Sequence, residues 1–421
     1  VRVNKKTFIT AAIGNIIENY DYALLVFFFP IVAPLFFHAD SVYHSLARGY
    51  FYLFLAMLAR PFGGWFFGYI GDVYGRKTAL LISMYGIALA TGFFSLMPSY
   101  ETAGVWAIVC FSFGKSLQMF CFGGEYNGAG IFIVEHAQNN KEALAGSILT
   151  ATTLIGSLFS TLAGVLVTLP GLPAWSWRFA FIFGCLLGIL GIKYRNNLAE
   201  SPHFKNADAK HQTLSQMIKT YPKELLAGVF AGAYATITFT SVLTFINPVL
   251  MSRGYFTSHQ LMLFQSLLVA LAIITLIPSA MVADRTTPAR VMKASCWGLI
   301  LFTYPILLIV EKGSLTTTLP ALALLIIVGE IFMGPSNAFL KNLFIMQYRY
   351  RASSISFCIG TLSGGLTPMV ENYLYQQTGR FSAIAVWIIF IAVGSLVTVK
   401  WTEKSSAKVN YPGEVVLQES S

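Results

Sequence analysis

GYIGDVYGRK, Gly68 to Lys77, is a short charged hinge between two long apolar runs. It sets Gly68, Asp72, Gly75 and Arg76 in a GxxxDxxGR pattern. Two glycines allow close backbone approach and a tight reversal, whereas one acid and two bases between membrane-length segments belong at a water interface. The stretch therefore reads as a cytoplasmic turn joining two spanning helices.

Composition supports a membrane protein. Of 421 residues, 56% are hydrophobic and only 11% charged, more apolar surface than a soluble globule can hide. The formal charge is +10, but the Lys and Arg are scattered singly between apolar runs, a topology signal and not a nucleic-acid stripe. Five cysteines lie in apolar segments without CxxC spacing, and no metal site is expected. The first apolar run carries Glu18 and Asp21 and no clear cleavage site, unlike a removed signal peptide.

A span needs about 20 apolar residues. Cutting at charges, turns and polar runs predicts an all-α membrane protein of about twelve such segments. They lie near 8–36, 47–69, 78–97, 104–128, 145–168, 178–194, 225–250, 259–282, 293–310, 318–340, 353–375 and 382–400. The long polar interruption divides them into two six-helix bundles, 1–194 and 224–401, with a cytoplasmic linker at 195–223 and a cytoplasmic tail at 402–421. Within the linker, Thr213 to Thr220 is a candidate surface helix. If the N-terminus is cytoplasmic, the outer side holds only Arg48, Arg178, Arg253, Lys312 and Arg380, two bases (Arg60 and Lys115) lie within the membrane, and the other 21 of 28 are inside. This predicts both termini in the cytoplasm. MVADRTTPAR in the second half occupies the place of GYIGDVYGRK in the first, with Asp284 matching Asp72 and the GR pair missing.

Ionisable groups inside spans cost about 2.5–3.5 kcal/mol on insertion scales, so each calls for a partner, a wet cavity or a task. The first span offers Asn15, Glu18, Asn19 and Asp21, with Glu18 and Asp21 three apart and sharing a face. Arg60, in the second, comes out at similar depth. The fourth carries Lys115, Gln118, Glu125 and Asn127, with Glu135 at its cytoplasmic end, where it is predicted to pair with Arg76; Gly123, Gly124, Gly128 and Gly130 leave one side bare for close helix contact. In the second half Glu330 is the acid well inside a helix, whereas Glu371 reads as nearer the outer surface. Tyr234, Asn247, Trp297, Asn337 and Trp387 are candidate cavity-wall residues, the aromatic ones suited to an amine.

Together GNIIENYDY, RPFGGWFFGYIGDVYGRK, FGGEYNGA, SWRFAFIFG with Arg178, ESPHF and GGLTP occur in the order seen in the metabolite/proton symporter branch of the major facilitator superfamily, and the chain resembles that branch over nearly its whole length. The branch holds proline/betaine, 2-oxoglutarate, shikimate and citrate carriers. The resemblance implies two bundles around a cavity that opens alternately to either side, and solute uptake driven by protons. It departs where Lys115 stands in place of Arg, and where Asn342 and Ile345 in AFLKNLFIMQYRYRA replace an acid and a proline, although Arg349 and Tyr350 match.

The expected function is proton-coupled symport of a small zwitterion or carboxylate, with no cofactor beyond the proton gradient, in a bacterial inner membrane, by a monomer with no nucleic-acid partner. Glu18, Asp21, Arg60, Lys115, Glu125 and Glu330 are the candidates for proton coupling and the substrate cavity. Gly68, Asp72, Gly75, Arg76, Glu135, Asp284 and Arg349 are candidates for the cytoplasmic gate. Each has a rival reading: permanent neutralisation of Glu18 and Asp21 by Arg60, an ion pair of Lys115 with an acid inside the bundle, static packing at the gate. Proton-coupled efflux and a nontransporting sensor on the same fold also remain open. No triad, metal cluster or GxxxxGK[ST] loop suggests an enzyme.

Overall fold

The computed structural model describes residues 5–74, 76–123, 134, 141–196, 218–344 and 349–406; the side chains of 5–11, 68, 71–73, 76–77, 194–196, 349–351 and 404–406 fall outside the description. In chain order the helices are α1 (Lys5–Phe36), α2 (Val42–Met57), α3 (Ala59–Tyr74), α4 (Arg76–Leu96), α5 (Val105–Phe122), α6 (Glu142–Val167) and α7 (Trp177–Asn196). They continue as α8 (Pro222–Ser252), α9 (Ser258–Arg285), α10 (Pro288–Glu311), α11 (Leu315–Leu343), α12 (Arg349–Thr378) and α13 (Ala385–Ser406). Nine helices among the described residues are long and apolar enough to cross a membrane unaided. Helices dominate for a physical reason: in lipid each helix satisfies its own backbone hydrogen bonds.

The second predicted span is not one helix. It breaks at Leu58 into α2 and α3, because Pro61 has no N–H for the Met57 carbonyl and its ring crowds that turn. A similar cause shapes α8, whose residues Ser241–Ile246 form a π turn. Pro248 cannot donate to the Thr244 carbonyl, and Asn247 N–H reaches back to Val242 instead.

Within the first half α1 packs on α6 and α7, α4 on α7, and α3 on α5. In the second, α8 packs on α12 and α13, and α10 on α11. The halves meet where α6 lies against α9 and α11, and where α12 lies against α2. The α3–α5 contact is the glycine contact expected from the sequence. A methyl added at Gly123 would overlap the Arg60 carbonyl, and one at Gly63 the Phe120 carbonyl. Gly124, Gly128 and Gly130 are outside the described residues, as is most of Thr213 to Thr220.

Arg178 has a static task. Its Nε and Nη2 donate to the Ser95 and Met97 carbonyls at 3.1 and 2.9 Å, closing the last turn of α4 with a cation where the helix dipole is negative.

Candidate functional site

Four side chains meet in the first half. Tyr22 of α1 stacks on Phe122 of α5, with centroids 4.5 Å apart and planes at 15°. Arg60 of α3 lies over the Phe122 ring at 5.0 Å, and Lys115 of α5 over the Tyr22 ring at 5.2 Å. Tyr22 also packs in a cluster with Met57, Met119 and, from the second half, Leu362, so the group faces the seam between the halves. Both cations are buried, at 6% and 2% exposure. Lys115 Nζ donates to Gln118 Oε1 at 2.8 Å, and Gln118 Nε2 donates to the Asp21 backbone carbonyl at 3.0 Å. Arg60 Nε has no hydrogen-bond partner. Neither base forms an ion pair among the described residues. Among the described residues Lys115 is thus held by an amide. Two buried cations on aromatic faces, with no carboxylate paired to them among the described residues, make a set of groups suited to an anion.

Asp21 is 1% exposed and turns its carboxyl away from this group. A methyl at Gly184 of α7 would overlap Asp21 Oδ1, and one at Gly188 would come 3.5 Å from Oδ2. Oδ1 and the neighbouring Thr91 Oγ1 both lack hydrogen-bond partners. Asp21 and Arg60 form no ion pair, so permanent neutralisation by Arg60 does not hold for this acid among the described residues. Glu18 is buried on the same helix. Asn15 fastens α1 to α6 through Thr152 and Thr153 at 2.7 and 3.1 Å, and Asn19 donates back to Asn15.

Across the seam Glu330 of α11 is 4% exposed and has no hydrogen bond among the described residues. Nearby, Tyr234 stacks on Phe332 at 3.9 Å and shares a hydrogen bond with Ser295. The other wall candidates divide. Asn247 is fully buried with both amide atoms unpartnered, and Trp387 donates to Thr367 Oγ1. Trp297 is 48% exposed on the outer surface of the bundle, with Lys400 over its ring, and is no cavity wall.

Two closures flank the site. At the end that holds Asp284, its Oδ1 and Oδ2 accept from Ala143 N–H and Leu144 N–H at 2.8 and 2.9 Å, the first turn of α6. The acid at the degenerate turn of the second half therefore caps a helix of the first half, where the unpaired N–H groups and the dipole favour a negative charge. Lys341 pairs with Glu142 at 2.5 Å, and Asn337 donates to Gly146 O and Thr150 Oγ1 at 3.2 and 3.0 Å. Gly68, Asp72, Gly75, Arg76, Glu125, Glu135 and Arg349, or their side chains, are outside the described residues.

At the opposite end Tyr50 of α2 donates to the Thr244 carbonyl at 2.9 Å, the carbonyl that Pro248 leaves free. Tyr43 donates to Asn372 Oδ1 at 2.6 Å. His259 sits beside the last turn of α6, 3.2 Å from the Val165 carbonyl. Glu371 is wholly buried at this end, and Ser241 is its partner. No periodicity in the sequence marks this pairing, since Ser241 and Glu371 are 130 residues apart.

A sequence model described as "Sugar (and other) transporter" matches residues 7–220. The proline/betaine transporter of Escherichia coli K12 is 25% identical over 439 residues, spanning 99% of this chain and 87% of its own. A glycine betaine/proline/ectoine/pipecolic acid transporter of Dickeya dadantii is 26% identical over 424 residues, 96% of this chain and 84% of its own. The fold is similar to that of a D-xylose–proton symporter, with a TM-score of 0.75 at 14% identity and coverage of 95% and 97% of the two chains. It is also similar to the E. coli fucose–proton symporter, at 0.65 and 13%, with 95% and 99% covered.

Proposed function

The chain belongs to the sugar (and other) transporter family of the major facilitator superfamily, a multi-pass membrane transporter and not an enzyme, and from that premise we propose that it takes up a small zwitterionic or carboxylate solute together with protons. The observation that carries this reading is the pair of buried bases, Arg60 and Lys115, on the Tyr22–Phe122 stack with no counterion among the described residues. A solute carboxylate supplies the missing charge, and Arg60, with a planar fork and a free Nε, is the group suited to hold it. Glu330, on the opposing half and without a hydrogen bond among the described residues, receives the positive end of a zwitterion. The similarity to carriers of proline and betaine, both zwitterions, supports this choice of solute class.

Asp21 carries the proton in this scheme. Its carboxyl lies behind the cation site, on the α7 side, while its backbone carbonyl accepts from Gln118, which also holds Lys115, so the residue that takes the proton is fastened to the cation site through its main chain. Glu18 shares the task from the same helix. Glu142, Asp284 and Lys341 form the inner gate together with the GYIGDVYGRK turn, and Tyr43 and Tyr50 form the outer one. Both termini are cytoplasmic, the membrane is the inner membrane of a bacterium, each copy works as a monomer in two six-helix bundles, and the proton gradient is the only energy source.

The test is reconstitution in liposomes with proline, betaine, 2-oxoglutarate, citrate and shikimate as solutes. Uptake driven by an inside-alkaline gradient is expected for one of them. Asp21→Asn is expected to keep solute exchange and lose acceleration by the gradient. Gradient-driven uptake that survives in Asp21→Asn removes Asp21 from the coupling path, and folded protein without uptake of any member of the panel refutes the symport reading.

A further inference from the structure

Glu371 lies seven residues before the end of α12, about 10 Å into the helix at 1.5 Å per residue. It is fully buried, at 0% exposure. Oε1 accepts from Ser241 Oγ at 2.5 Å, and Oε2 has no hydrogen-bond partner. No base forms an ion pair with it among the described residues. A carboxylate stripped of water with one hydroxyl in exchange is strongly disfavoured, whereas a neutral carboxyl is tolerated.

The surroundings are those of a closure and not of a rigid core. Ser241 opens the π turn of α8, and Phe245, in the same turn, packs on Tyr50 of α2 and Tyr375 of α12 at 6.2 and 5.9 Å. Thr244 Oγ1 and the Tyr375 hydroxyl are also buried without partners. The titratable and charged groups at this end of α12 are Tyr43, Tyr50 and the exposed His44 from α2, Arg253 just after α8, and, around the turn that follows α12, Arg380 and Glu311, whose carboxylate accepts from Ser382 N–H. Arg253 lies 5.2 and 5.3 Å over the Tyr375 and Phe381 rings, and so contacts aromatic faces instead of the carboxyl. The 3-10 turn Phe381–Ile384 brings no charge, and α3, α11 and α13 carry Arg60, Glu330 and Lys400 farther toward the other side. Separation of α2, with Tyr50, from α8 and α12 would admit water to Glu371, and with water the carboxylate becomes the favoured form.

We propose that Glu371, held by Ser241 at the π turn, is a proton-binding site of the outer gate, protonated while α2 of the first half lies on α8 and α12 and releasing its proton to outer water when α2 parts from them. The balance is one O–H bond broken and one proton passed to water, with no other reactant. Run in reverse, an outside proton arriving at Glu371 allows the outer gate to shut. The inference rests on the alternating access of the proposed function, but neither on its solute nor on Asp21.

The experiment places spin labels at Val42→Cys and Gln377→Cys, both exposed, with the native cysteines replaced by alanine, and reads their distance distribution in liposomes from pH 5 to 9. The wild-type ratio of short to long distances is expected to fall by up to tenfold per pH unit through the transition, the limit for one proton. Glu371→Gln, which keeps the shape and the acceptor for Ser241, is expected to hold the short distance at every pH. Glu371→Leu is expected to give the same flat profile and serves if the first variant does not fold. A wild-type distribution indifferent to pH, or a titration that persists in either variant, overturns the proposal. Solute flux plays no part in this readout, so a failed uptake assay and a failed gate titration are separate results.

Discussion

Replacing Asp284 by alanine should open the inner side. Its carboxylate accepts two backbone N–H bonds, at 2.8 and 2.9 Å, from the first turn of α6 in the opposite half. Hydrogen bonds to a charged group contribute about 1.5–3 kcal/mol each relative to water. Asp284 is half-exposed, so the pair together is taken at the value of one, about 1.5–3 kcal/mol. The bonds cross the seam, and in the proposed gate they exist only while the inner side is shut, so their whole free energy enters the closed-to-open equilibrium. The closed population should fall about 10- to 150-fold relative to the open one. Asp284→Asn keeps one acceptor without the charge and should fall between alanine and wild type. The assay is a distance distribution between labels at the inner ends of α6 and α9, read with and without 0.5 M salt to test the ionic part. An unchanged distribution in Asp284→Ala would show that α9 and α6 are held by packing alone, and that the cap is incidental.

Tyr50→Phe removes the hydroxyl from the Thr244 carbonyl, a bond between halves worth about 1 kcal/mol, and should raise the outward-open fraction about fivefold in the same kind of measurement. Gly123→Ala drives a methyl into the Arg60 carbonyl; overpacking of about 1–3 kcal/mol should lower the melting temperature in detergent, measured by tryptophan fluorescence, and an unshifted melt would mean that α3 and α5 separate freely. Arg60→Lys keeps the charge but not the fork, so solute affinity should weaken about tenfold with proton coupling intact; equal affinities for the two proteins would place the solute carboxylate elsewhere. Gly184→Ala should impair proton coupling without touching the cation site, because the added methyl displaces the Asp21 carboxyl, and normal gradient-driven uptake in that variant would contradict the placement of Asp21.

Much of the fold was legible because lipid imposes a one-dimensional rule. A helix that satisfies its own backbone needs only sufficient apolar length, and length can be counted along the chain. Proline chemistry was legible in principle as well: Pro61 foretells the break at Leu58, and Pro248 the free Thr244 carbonyl. The rotation of each helix about its axis was not. Glu18 and Asp21 are three apart on one helix, yet the direction of the Asp21 carboxyl was decided by room at Gly184 and Gly188 on α7. Glu371 reads along the chain as an acid two turns from a loop, and only the approach of Ser241 and the seal of Tyr50 and Tyr375 bury it. The sequence by itself determined the spans, the six-and-six division it predicts and the rarity of charge inside them, because these follow from the cost of exposing polar groups to lipid. Which charges face one another, and which helix end Asp284 caps, was decided by tertiary packing, because side-chain partners more than a hundred residues apart leave no local period to read.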